Sequence, residues 1–198
     1  LWRVRAKQVI LATGAIERPL AFANNDRPGI MLASAASSLV ERYGVTPGVS
    51  GIVFTNNDNA YLTALQLKKA GVGVRVVDSR KLPKAELIDQ AAAEGIEISF
   101  GSVISAVEGS LGVGAAKIAD YRRGQGRVVS ERKVDCDFIA MSGGFNPALH
   151  LWCHNGGKIR FDDALQSFRP DRHQDAITAV GAANGSMSLA ETLAIHEE

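Results

Sequence analysis

The sequence lacks most of what would announce a partner or a chemistry. Its formal net charge is +1, from 22 basic and 21 acidic residues, so no field of one sign favours nucleic acid or an anionic membrane. Two cysteines, Cys136 and Cys153, form no Cys-x-x-Cys pair, which leaves a thioredoxin-like dithiol and a zinc ligand pair without support. They are expected as free, buried or half-buried thiols in a reducing compartment. No apolar run approaches the ~20 residues that span a bilayer, and no charged start followed by an apolar stretch suggests export. The expectation is a cytoplasmic protein with neither membrane nor nucleic acid among its partners. No Ser/His/Asp or Cys/His pairing marks a nucleophile, so no catalytic residue is assigned.

What is present is an ordinary globular balance. The 198 residues are 46% hydrophobic, with a mean hydropathy of +0.02. That length builds one large domain or two small ones. Apolar texture from Leu1 to Thr13 predicts a strand ending in the buried run "VILAT". The segment "ERPLAFANNDRPG" predicts an ordered loop. "MLASAASSLVERY", Met31 to Tyr43, has apolar residues at helical spacing and Gly44 as a C-cap. After the linker "GVTPGVSG" the chain alternates strand and helix: "GIVF", "NAYLTALQLKKAG", "VGVRVVD", "KAELIDQAAAEG", "IEISF". Short apolar strands joined by helical crossovers predict a parallel sheet. A β-meander and a buried strand, "DFIAMSGG", follow. The cluster Arg122, Arg123 and Arg127, broken by Gly124 and Gly126, predicts a hairpin tip in water. Beyond Gly143 the chain reads as irregular until the strand in "AITAVGAANG" and a last helix, "MSLAETLAIHEE".

The unit from Gly51 opens as a dinucleotide-binding fold does, but its fingerprint glycines are missing. "TNNDNA" places Thr55, Asn57 and Ala60 where G-x-G-x-x-G would stand. Glycine there lets the backbone turn tightly and bring a pyrophosphate to the helix N-terminus. Asn57 puts a side chain in that space and Asp58 adds repulsion; either could instead cap the helix. Asp78 could hold a ribose hydroxyl or be a surface acid at a strand end. "LATGA" and "AVGAANG" are paired signals, each an apolar strand that exits through small residues, the second directly before a helix whose amides could face an anion.

In "SGGFNP", Gly143, Gly144 and Pro147 build a tight strand exit, with Asn146 either bonding the turn or near a cofactor. His150 and His154, four apart, have no acidic third ligand nearby and read as part of a packed helix rather than a metal site. Glu191 reads as solvent-facing, with a ligand contact as the alternative.

"VILATGAIERP" and "AITAVGAANGSMSLAETLA" resemble the two closing motifs of flavoproteins that carry two dinucleotide-binding domains, the pyridine nucleotide–disulfide oxidoreductases. The resemblance is closer to the alpha subunits of heterotetrameric sarcosine oxidases. It is carried by "ATGAIERPLAFANNDRPGIMLASAA", "VFTNNDNAYLTALQLKKAGV", "SGGFNPALHLWCHNGGKIRFDDALQSFRP" and "VGAANG", and covers essentially the whole chain. It implies an α/β fold: a Rossmann-like three-layer inserted domain with a parallel sheet and a β-meander, residues 48–140. Residues 1–47 together with 141–198 would flank it as the remnant of a second dinucleotide-binding domain. The chain would then be an excised middle segment of a longer subunit.

The resemblance further implies a complex that oxidatively demethylates sarcosine to glycine, forms hydrogen peroxide and passes a one-carbon unit to tetrahydrofolate. FAD and FMN belong to the full complex, with beta, gamma and delta subunits as partners. NAD is bound noncovalently by the alpha subunit, its site incomplete in this segment. Carried over residue by residue, cofactor contacts fall on Thr13, Gly14 and Ala15 and on Gly181, Ala182, Ala183 and Asn184. Ala182 stands where flavin-binding relatives carry an acid, which favours NAD over FAD. The alternatives are a subunit of a related FAD/NAD-dependent amine or opine dehydrogenase, or a non-catalytic partner-binding module.

Overall fold

The computed structural model describes residues 2–122, 127–172 and 175–194. They form two units, one of Leu1–Ile16 with Phe145–Glu198 and one of Glu17–Gly144. The chain opens with two short strands, β1 (Val9–Leu11) and β2 (Ala15–Glu17). The central unit then runs β3 (Ile30–Leu32), α1 (Ala33–Tyr43), β4 (Ser50–Thr55), α2 (Asn59–Lys69), β5 (Gly73–Asp78), α3 (Glu86–Ala93) and β6 (Glu97–Phe100). Next come β7 (Ser102–Glu108), β8 (Ala115–Arg122), β9 (Arg127–Asp135) and β10 (Phe138–Ser142).

A five-stranded parallel sheet in the order β3-β10-β4-β5-β6 forms the middle of this unit. Its inner strands β10 and β4 are largely apolar and buried because both faces are covered. Alternate residues serve opposite layers: Val53, Val76 and Phe138 pack under the helices with Ala36, Tyr61, Leu67 and Ala91. Ile52, Phe54, Val77 and Ile139 face Ile104, Val107, Ala116 and Ile118 of the antiparallel meander β7-β8-β9. Helices, parallel sheet and meander make the expected three layers. Of the arginine cluster expected at a hairpin tip, Arg122 and Arg127 are register partners at the ends of β8 and β9, and Arg123 lies outside the described residues.

Helix α1 shows how local and distant sequence cooperate. Gly44 takes φ +62°, and its amide and that of Val45 close the helix onto Val40 and Leu39 carbonyls. At the other end Leu32 offers no side-chain cap. The carboxylate of Glu17, 7% exposed, accepts instead from the Ser34 amide at 2.9 Å, a charge suited to a helix N-terminus.

The structure moves one expected boundary. Residues 17–47 belong with the central unit rather than with the flanking one. Two residues of the expected helix, Met31 and Leu32, lie in β3, which pairs with β10, and α1 buries Ala33 and Ala36 in the central core. The far boundary follows Gly144 because Gly143 donates its amide to the Arg18 carbonyl at 2.7 Å and Arg18 donates to Gly144 at 2.8 Å. A Cβ on Gly143 would come within 3.0 Å of the Arg18 carbonyl oxygen, which explains a glycine there.

In the other unit, β11 (Phe145–Pro147) is followed by α4 (His150–His154), the antiparallel pair β12 (Ile159–Asp162) and β13 (Ser167–Pro170), and β14 (Ile177–Ala179). A single 3-10 turn, Gly181–Asn184, and α5 (Leu189–Ala194) complete it. Leu11, Leu149, Trp152, Ala179 and Ala183 form its small core. The expected long first strand is confined to Val9–Leu11, because its ladder partner β14 is only three residues long. Among the described residues no helix is long and apolar enough to cross a membrane.

Candidate cofactor sites

All seven expected cofactor residues lie in the flanking unit, at one end of one strand pair. β1 and β14 run parallel with Val9, Ile10 and Leu11 opposite Ile177, Thr178 and Ala179. Their carboxyl ends therefore coincide, the position from which α/β sheets offer loops to ligands. Val180 donates its amide to the Leu11 carbonyl at 3.0 Å, extending the pairing to the brink of both loops.

The first loop is held open by its own bonds. Gly14 takes φ +72°, and a Cβ there would meet nothing within 4 Å. The Thr13 hydroxyl donates to the Ala148 carbonyl at 2.7 Å, and the Ala148 amide donates to the Gly14 carbonyl at 2.9 Å. Thr13 is exposed, while Gly14 and Ala15 are half-buried. The second loop begins at Gly181, φ +60°, and the 3-10 turn closes at Gly185, φ +93°, through amide bonds from Gly185 and Ser186 to the Ala182 and Gly181 carbonyls. Ala183 is 1% exposed and packs into the core, so it offers a ligand only its backbone. Gly181, Ala182 and Asn184 remain half-exposed.

Two expectations about this end need correction. No helix follows "AVGAANG" directly: its own Gly181–Asn184 form the short 3-10 turn, and α5 starts only at Leu189. The start of α5 is satisfied from within: Ser188 donates its amide to the Glu191 carboxylate at 3.0 Å, and Glu191 donates its amide to the Ser188 hydroxyl at 3.1 Å. The Ser188 amide also holds the exposed Glu191 carboxyl below its usual range. Asn184 lines a cavity of about 240 Å³ with Trp152, Asp171, Arg172 and Thr178, too small for a whole dinucleotide.

In the central unit, the counterpart crevice lies at the carboxyl ends of β4, β5 and β10. Asp78, expected at the surface or on a ribose, is fully buried. Its carboxylate accepts from the Tyr61 hydroxyl at 2.8 Å, the Arg80 amide at 2.9 Å and the Arg80 guanidinium at 2.8 and 3.1 Å. Burial, reinforced by the Asp78 charge, pushes the Tyr61 phenol far above its ordinary value. Burial works to lower the Arg80 guanidinium, but hydrogen bonds to Asp78 and Asp58 outweigh it and raise the group overall.

Asp58 stands at the N-cap of α2, but its side chain makes no cap hydrogen bond and pairs instead with Arg80 at 2.8 Å. Asn57 does not cap α2 either, because its side chain reaches across to Ser142.

Among the described residues no cluster of three or more His, Cys, Asp or Glu is arranged to hold a metal. His150 and His154 are exposed at the two ends of α4, around the buried Trp152. Cys136 is buried, whereas Cys153, expected at least half-buried, is exposed; both are free thiols. Asn146 is exposed.

The fold is shared with solved thioredoxin reductases. The chain superposes on the thioredoxin reductase of T. acidophilum with a TM-score of 0.72 and 15% identity, over 94% of this chain and 61% of that one. The Lactococcus lactis thioredoxin reductase gives 0.67 and 22%, over 96% and 62%. No family model matches the sequence.

Curated relatives are more specific. The sarcosine oxidase alpha subunit of Corynebacterium sp. (strain P-1) is 37% identical over 194 residues, 98% of this chain and 20% of that protein. That of Corynebacterium sp. (strain U-96) is 38% identical over 200 residues, again 98% and 20%. Over nearly its whole length the chain is similar to these sarcosine oxidase alpha subunits, and it spans about a fifth of their length. An opine oxidase subunit from Agrobacterium tumefaciens (strain Ach5) is 27% identical over 192 residues, 88% of this chain and 37% of that protein.

Proposed function

We propose that this chain is the part of a sarcosine oxidase-like alpha subunit that cradles NAD and joins the subunit to its partners, and that it performs no chemical step itself. The observation that carries this reading is the parallel pairing of β1 with β14, which brings Thr13–Ala15 and Gly181–Asn184 to one sheet end. Two positive-φ glycines and the small side chains of Ala15 and Ala182 leave backbone accessible to a ribose or phosphate. No carboxylate stands at position 182 to repel a pyrophosphate. NAD supplies, when bound, an acceptor for a hydride; the chain's own contribution is to hold and orient it.

The same pair supports assembly. Parallel strands are normally covered on both faces, yet Ile10 is 69% exposed and Val9 41%. We infer that further strands of the same subunit complete this sheet and the NAD site. The complex, with FAD in its beta subunit, FMN at the alpha–beta interface and gamma and delta subunits besides, would demethylate sarcosine to glycine with formation of hydrogen peroxide, passing the one-carbon unit to tetrahydrofolate in the cytoplasm. A second reading, a subunit of an opine oxidase-like enzyme, is favoured by the similarity to the opine oxidase chain, at lower identity.

The test is NAD content. In the full-length subunit purified with its complex, Gly181→Val should lower NAD released on denaturation at least tenfold while flavin content stays unchanged. Unchanged NAD content would overturn the assignment of these loops.

A further inference from the structure

We propose that the dinucleotide crevice of the central unit is closed by the chain's own side chains, so that this Rossmann-like lobe holds no pyridine dinucleotide. The fold family implies such a ligand at the switch point of the sheet, between β4 and β10. Its pyrophosphate would lie over the start of α2 and a ribose would bond the acid that ends β5. The residues present do not fit it.

Each contact point is already taken. Asn57, at a fingerprint glycine position, donates its side-chain amide to the Ser142 carbonyl at 3.1 Å and to the Ser142 hydroxyl at 3.0 Å. Thr55 and Ser142 are register partners in β4 and β10, so the Asn57 side chain spans the gap between the two strand ends. Asp58 sets a negative charge at the start of α2, where a pyrophosphate would need amides alone. Thr55, fully buried, accepts from the Asn57 amide and donates to its carbonyl, both at 3.0 Å, which holds the loop in this closed form.

The ribose position is occupied as well. Both Asp78 oxygens are engaged by Tyr61 and Arg80, and Arg80 is tied in turn to Asp58. A ribose hydroxyl could bond Asp78 only by displacing Tyr61 or Arg80 from a carboxylate that is fully buried. The neighbouring cavity of about 460 Å³, lined by Asn56, Ser79, Arg80, Lys81 and Tyr121, touches none of Asn57, Asp58 or Asp78. This inference does not rest on the NAD site proposed above, which uses the other unit.

Hydrogen–deuterium exchange on the full-length subunit in its complex tests it, with NAD, NADH and NADPH each supplied at millimolar concentration. No ligand should change exchange over residues 54–61 or 77–82. Saturable protection of either segment by any of the three would overturn the proposal. Opening the crevice with Asn57→Gly and Asp58→Gly together should create protection over 54–61 by at least one of them. A folded double variant that gains none would overturn closure by these side chains. Protection over 11–15 and 179–185 reports the first site separately, so the two readings fail distinguishably.

Discussion

Phe138 covers Gly51. The two are register partners in β10 and β4, and a Cβ on Gly51 would lie 2.0 Å from the Phe138 ring carbon Cζ. The ring is fully buried, so it has nowhere to retreat. Gly51→Ala should therefore destabilise the central unit by about 2–3 kcal/mol, the upper range for an overpacked core. Adding Phe138→Leu should recover part of the loss, a coupling that chemical denaturation of the four-member cycle measures.

Removing the Tyr61 hydroxyl takes one partner from a buried carboxylate. Tyr61→Phe should cost about 2 kcal/mol, as for other hydrogen bonds to charged groups. Asp78→Ala should cost more, about 3 kcal/mol, because Arg80 keeps a charge in a largely covered position. Equilibrium urea unfolding ranks the two variants; an equal or reversed order would show that Arg80 finds solvent.

Cys136 links stability to alkaline pH. Burial, and then the nearby Asp137 charge, push its thiol up to about 11 from 9.0. The folded state thus holds this proton more tightly than the unfolded chain does. The contribution is fully present below about pH 9 and is lost as pH rises through about 11. The melting temperature should fall over that window, and Cys136→Ala should flatten the fall. At pH 8 a thiol reagent should label the exposed Cys153 readily and Cys136 only on unfolding.

Trp152 reports on the flanking unit. Its indole donates to the Lys158 carbonyl at 2.9 Å, and a Cβ on Gly157 would sit 2.4 Å from that nitrogen. Gly157→Ala should displace the ring, shift its emission to the red and cost about 2 kcal/mol. Trp2 is 93% exposed, so its emission is a constant background.

Legibility in the sequence followed how local each determinant was. Helices α1, α2 and α3 announced themselves by apolar spacing and a following glycine, and the alternating β-α pattern disclosed the parallel sheet. Strand β3 was hidden because Ile30, Met31 and Leu32 continue the apolar spacing of α1, and only pairing with β10 separates them. The β12–β13 pair was hidden too, since "IRFD" and "SFRP" mix charge, aromatic rings and a proline; Phe161 against Phe168, ring centres 5.3 Å apart, joins them.

At the candidate sites, the small-residue exits after β1 and β14 were legible as composition. The clamp around Asp78 was not, because an acid at a strand end beside polar residues normally faces water. Its burial depends on Tyr61, on the first turn of α2, reaching it from another element.

The paired amide bonds between Arg18 and Gly143–Gly144 tie the first and last residues of the central unit to each other. A unit whose ends are tied in this way can take extra residues in its loops without moving the points where the chain enters and leaves it.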